Sequence, residues 1–135
     1  MIIVTTPNDS DRVLVDSSGW LEYAADDPCA AKFAPYIEGG APILVPTIVL
    51  YEVYKKISQE RGKGAADRFA SQALRQVVVP LDETLTLASA RASIEFNLPM
   101  ADAIIYATAI ANDARLITSE SHFQSLPGVV FIQPD

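Results

Sequence analysis

Five short runs rich in β-branched residues, each closed by a polar residue, a turn or a proline, constrain this chain more than any other feature. They are Val13 to Asp16, Ile43 to Val45, Val77 to Val79, Arg115 to Thr118 and Val129 to Ile132. Most of the intervening stretches repeat apolar residues at helical spacing. Ser17, Ser18 and Gly19 turn the chain into one helix that runs to about Ala25, and a second is predicted from Pro28 to Ile37. A third follows a Thr47 N-cap through IVLYEVYKKISQERG, and a fourth spans about 65 to 76 with Phe69, Ala73 and Leu74 inward. A fifth runs from an Asp82 cap to about Phe96, and a sixth from Pro99 to near Asn112. Short strands separated by helices predict a three-layer α/β/α fold on a mainly parallel five-stranded sheet.

At 135 residues the chain reads as one domain with enough length to bury a core. Residues 1–12, MIIVTTPNDSDR, form an N-terminal extension, either an edge strand through Ile2, Ile3 and Val4 or a flexible tail; residues 13–135 form the domain. That start is too short and wrongly charged for a signal peptide. Every apolar run is interrupted before membrane-spanning length, so no membrane association is expected. Cys29 is the single cysteine and cannot form an internal disulfide. It reads as a small semi-buried residue of a cytoplasmic protein.

The stretch LPMADAIIYATAIA carries one charged side chain, Asp102, near the start of its predicted helix. A lone carboxylate in apolar surroundings has to be paired, protonated, left at a wet edge or bound to a metal. In parallel sheets, sites form beyond the carboxyl ends of the strands where the strand order reverses. Asp16 and Glu120 follow two such ends, and Glu52 and Asp102 fall in early turns of helices. The topology therefore predicts four acids converging at one sheet edge. Crowded carboxylates repel and burial raises their pKa values, and a hard divalent cation relieves both effects. Such a cation lowers the pKa of a bound water and stabilises charge on a phosphoryl oxygen. The chemistry most compatible with the set is metal-assisted phosphodiester hydrolysis; without a Cys/His cluster, zinc does not fit. Each acid alone has a plainer role: Asp16 as a strand-end cap, Glu52 as a partner for Lys55 or Lys56 at helical spacing, Asp102 as a helix N-terminal charge. Their shared topological position decides for the set.

Other chemistries lack their motifs. Walker-type, GxGxxG and GxSxG loops are absent, and the sole histidine, His122, reads as a surface residue beside Phe123. A receiver-like phosphoacceptor domain is the alternative, but it needs an acid ending the third strand, and VVVPLD supplies Asp82 only after Pro80. The net charge of −7 argues against wrapping of nucleic acid by a basic surface. Basic residues nonetheless concentrate in one helical hairpin, at Lys55, Lys56, Arg61, Lys63, Arg68 and Arg75, a candidate phosphate-contacting rim.

VLVDSSGWLEY, PTIVLYEVYKK and LPMADAIIYATAIANDARLITSESHF together resemble a PIN domain of the VapC-like toxin ribonucleases, over about residues 13 to 132. By that resemblance Asp16, Glu52 and Asp102 match the three central metal-binding acids, and Glu120 matches a fourth that is usually Asp in the family. Ser18 and Thr118 match supporting hydroxyls. The resemblance implies one firmly held Mg2+, with Mn2+ as a substitute, and endonucleolytic cleavage of single-stranded or looped RNA. It further implies a type II toxin–antitoxin system, a homodimer and a cognate antitoxin covering the acidic groove. A PIN-like module that binds RNA or a partner without cutting is the remaining alternative, and intact acids at all four positions count against it.

Overall fold

The computed structural model describes residues 12–133. In chain order it contains β1 (Val13–Val15), α1 (Ser17–Ala25), α2 (Ala30–Glu38), β2 (Ile43–Pro46), α3 (Thr47–Arg61) and α4 (Lys63–Ala73). These are followed by β3 (Val77–Val79), α5 (Glu83–Phe96), α6 (Met100–Ala111), β4 (Arg115–Thr118), a short 3₁₀ turn (Ser121–Phe123) and β5 (Val129–Phe131). The strands form one sheet in the order β3-β2-β1-β4-β5. Every neighbouring pair is parallel, so the sheet is wholly rather than mainly parallel. Strands β1 and β2 are buried along their whole lengths, as is β4 apart from Arg115, which requires helices on both faces. The edge strands β3 and β5 are only partly covered. The expected edge strand at Ile2 to Val4 lies outside the described residues.

This strand order positions the site. The chain leaves β1 for β2 and β3 on one side and returns through β4 and β5 on the other. The reversal therefore lies between β1 and β4, whose registers pair Val13 with Arg115 and Val15 with Ile117. Asp16 continues the ladder past the end of β1, its N–H donating to the Ile117 carbonyl at 3.2 Å. Helix α6 is buried at every position from Ala103 to Ala109. A helix apolar on all sides must be enclosed, and the alanines let α5, β2 and β4 approach it.

Several boundaries differ from the sequence reading for local reasons. Pro46, extended at φ −60° and ψ 145°, takes the cap position of α3, and Thr47 is the first helical residue. Pro99 likewise caps α6 instead of opening it. Helix α2 begins at Ala30, because Asp27 accepts from the Cys29 N–H and holds Pro28 in a turn. Helix α4 starts early enough to contain Gly64 and ends at Ala73; Leu74, expected inside, caps it at 61% exposure.

The Asp82 cap is present as expected: its carboxylate accepts from the Leu85 N–H at 2.8 Å. Asp82→Ala is expected to lower the unfolding free energy by about 1 kcal/mol, read from urea denaturation. A change below a few tenths would show that the cap does not hold α5.

Candidate active site

Asp16 stands at the centre of the β1–β4 reversal and is 3% exposed. Its backbone is extended and its side chain caps α1, Oδ1 accepting from the Gly19 N–H at 3.1 Å. Ser18 Oγ donates to the same oxygen at 2.7 Å, and Thr118 Oγ1 donates to Oδ2 at 2.6 Å. Thr118 belongs to β4 and is itself fully buried, so the two strands that flank the reversal are joined through this carboxylate. Burial pushes the Asp16 carboxyl up to about 6 even though these three donors oppose it, and the nearby Asp102 charge adds to the rise.

Asp102 lies in the first turn of α6, as expected. Burial raises its carboxyl above the usual range against the hydrogen bond and charge of His122, and Glu120 raises it further by repulsion. Asp16, Asp102 and Glu120 are thus electrostatically coupled around one edge of the sheet. Glu52 joins them indirectly, its Oε1 accepting from Ser17 Oγ, the neighbour of Asp16, at 2.6 Å. Glu120 has folded back on its own turn, where Oε1 accepts from the His122 N–H at 3.3 Å and caps the 3₁₀ turn. Its own N–H donates to Thr118 Oγ1 at 2.9 Å.

Three participants were not anticipated from the sequence. His122 is not a bystander: Nδ1 lies 2.7 Å from Asp102 Oδ2 and 3.3 Å from Glu120 Oε1. The Asp102 hydrogen bond first, and the Glu120 charge next, hold its imidazole above its ordinary pKa. Ser119 Oγ is 3.2 Å from both Ser18 Oγ and Glu22 Oε2, and its single proton serves one of them at a time. Glu22, raised chiefly by burial, is thereby an acid on α1 adjoining the set. For Glu22 the only available signal was its place on the solvent-side turn of α1 after Asp16.

The basic hairpin is partly self-neutralised. Lys56 pairs with Glu60 at 3.3 Å and Lys63 with Asp67 at 2.9 Å. Arg61 donates to the Ala24 carbonyl at 2.8 Å, and Lys55 lies 5.6 Å from the centre of the Tyr51 ring. Arg61 and Arg68 border a small cavity beside Trp20. Arg61 lies nine positions beyond Glu52 on α3, about 13.5 Å along the helix at roughly 1.5 Å per residue.

Among the described residues, no three His, Cys, Asp or Glu side chains are already spaced as a metal cage. The donor set itself suits a hard divalent cation. It is built from carboxylate and hydroxyl oxygens, and its central carboxylate is buried without a cationic partner close enough to keep its pKa low. Among the described residues the ion pairs to these acids come from His122 alone.

The family model of the PIN domain matches residues 13–129. No curated protein matches the chain. Among solved structures, a toxin–antitoxin complex from Klebsiella pneumoniae superposes with a TM-score of 0.75 at 22% identity, covering 87% of this chain and 95% of that one. The sarcin–ricin-loop-cleaving toxin VapC20 of Mycobacterium tuberculosis gives 0.74 at 17% identity, with coverages of 90% and 99%. VapBC2 of Rickettsia felis, bound to a promoter DNA fragment, gives 0.69 at 16% identity, with coverages of 90% and 97%. At these identities the structures share a fold with this chain.

Proposed function

This chain belongs to the PIN-domain family, and on that premise we propose that it is a divalent-metal-dependent endoribonuclease, the toxin of a type II toxin–antitoxin pair. The observation that carries the reading is Asp16, a buried carboxylate at the strand-order reversal, fixed by Ser18 and Thr118 and within electrostatic reach of Asp102. Asp16 and Asp102 would hold Mg2+, or Mn2+ in its place, with Glu52 and Glu120 at the margin. When bound, such an ion supplies Lewis acidity toward a phosphodiester oxygen and lowers the pKa of water. The chain's own part is orientation. Thr118 and Ser18 each direct one oxygen of Asp16, and the start of α6 places Asp102 beside it.

The substrate in this reading is single-stranded or looped RNA, whose backbone duplex packing does not shield. Lys55, Lys56, Arg61, Lys63 and Arg68 are the candidates for its phosphates; Lys56 and Lys63 would have to exchange their present partners. A homodimer and an antitoxin that offers basic groups to the acidic edge complete the proposal; the solved toxin–antitoxin complexes of like fold support an antitoxin partner. The receiver alternative is set aside, because Asp82, its only candidate acceptor, is engaged in capping α5.

Cleavage of total RNA by the purified chain is expected with Mg2+ and not with EDTA, and Asp102→Asn is expected to abolish it. Cutting in EDTA, or full activity of the variant, would sink the reading. The same assay across salt concentrations reads the hairpin: charge reversal at Lys55 and Arg68 should weaken cleavage and flatten its salt dependence. Light scattering should give twice the 14.6 kDa chain mass.

A further inference from the structure

His122 is the side chain that touches two of the acids assigned to the cation, and its pose determines what it can do there. Ionised carboxylates only accept hydrogen bonds, so a ring nitrogen 2.7 Å from one and 3.3 Å from another must carry its proton. That nitrogen has no lone pair to offer a metal. It occupies Asp102 Oδ2, one of the two oxygens this carboxylate can offer a cation, and approaches Glu120 Oε1.

We propose that His122 is an internal placeholder, which keeps Asp102 against the Glu120 turn and which a divalent cation must displace in order to bind. The inference rests on the metal-dependent reading above. The surroundings allow the exchange. The His122 side chain is 54% exposed and can swing into solvent. The turn beneath it does not depend on the ring, because the His122 backbone N–H separately binds Glu120 Oε1 and the next residue, Phe123, is fully buried. Asp102 sits in the first turn of α6, which is buried from Ala103 to Ala109, so its backbone stays in position when the ring leaves and its carboxylate is free to turn to the cation. His122 is therefore a positioning residue that sets how readily the site loads.

The test is a Mn2+ titration of the full chain, followed by the electron paramagnetic resonance of free Mn2+. His122→Ala removes the competitor and leaves two repelling carboxylates, so it is expected to bind Mn2+ roughly threefold to tenfold tighter than the native chain. His122→Asn places an amide N–H where Nδ1 stands and should return the affinity to the native value. Metal-free His122→Ala should melt below the native chain, and the difference should shrink at saturating Mn2+. No Mn2+ binding by the native chain would overturn the metal-dependent reading itself. Native binding together with equal or weaker affinity in His122→Ala would overturn the placeholder alone.

Discussion

Asp16→Asn is expected to make the metal-free protein more stable above pH 7 while reducing RNA cleavage by at least about a hundredfold, the upper range for losing even a ligand's supporting residue. The stability gain follows from burial. The carboxyl stands at about 6 in the fold against 3.8 as a reference. A carboxyl raised by folding contributes stability that is fully present below the reference value and is lost as pH rises through about 6. At pH 8 the ionised form therefore carries a penalty of roughly 3 kcal/mol, at 1.36 kcal/mol per pH unit. Asn removes the charge and keeps an oxygen for Gly19 and Ser18, but it meets the Thr118 hydroxyl with an N–H. The net gain at pH 8 should be about 1 to 2 kcal/mol, since Gly19 and Ser18 then meet a neutral oxygen and the Thr118 bond is reversed. Urea denaturation in EDTA at pH 4, 6 and 8 reads this directly. The difference between variant and native chain should be absent or reversed at pH 4 and open between 4 and 6. A variant less stable at pH 8, or a difference independent of pH, would show that the buried charge is already compensated.

The same residue shows what the sequence could reveal. Asp16 was legible because a strand end before a helix start is a local pattern, and parallel topology assigns such ends to one edge. Glu120 followed from the same logic at β4 and Asp102 from its place near the start of α6, whereas Ser18 and Thr118 came only from the family resemblance. His122 was read as a surface residue because nothing beside it in the chain is its partner; Asp102 lies twenty residues away. Glu22 meets Ser119 across 97 residues, a contact that only the β1–β4 pairing creates. Glu120 carried a signal that was overlooked, since an acid two residues before His122 at the start of a turn is a capping arrangement. The pairs Lys56–Glu60 and Lys63–Asp67 were also readable from their i,i+4 spacing. They show why a count of basic residues overstates the charge a helix face presents. The exposed Leu74 marks the opposite limit: periodicity places it inward, but α4 ends one residue before it.

Gly19→Ala is expected to destabilise the fold by about 2 to 3 kcal/mol, in the upper half of the usual overpacking range. In the sequence this glycine looked like a turn residue. In the structure it is helical and buried, and its role is to have no side chain. A Cβ there would lie 2.6 Å from Val15 Cγ1 and 2.7 and 2.8 Å from the Phe33 ring. Val15 and Phe33 are both fully buried, so neither can move aside without displacing the core. Relief must come from α1 lifting off β1. That motion carries the Gly19 N–H and Ser18 Oγ away from Asp16 Oδ1, so cleavage should fall together with stability. Val15→Ala removes the nearest clashing atom. Combined with Gly19→Ala, it should give a double variant more stable than the sum of the two single losses predicts, by about 1 kcal/mol or more. Urea denaturation of the four proteins closes this cycle. Additive losses, or a single Gly19→Ala variant within about 0.5 kcal/mol of the native chain, would mean that α1 reaches Asp16 without needing so close an approach to the sheet.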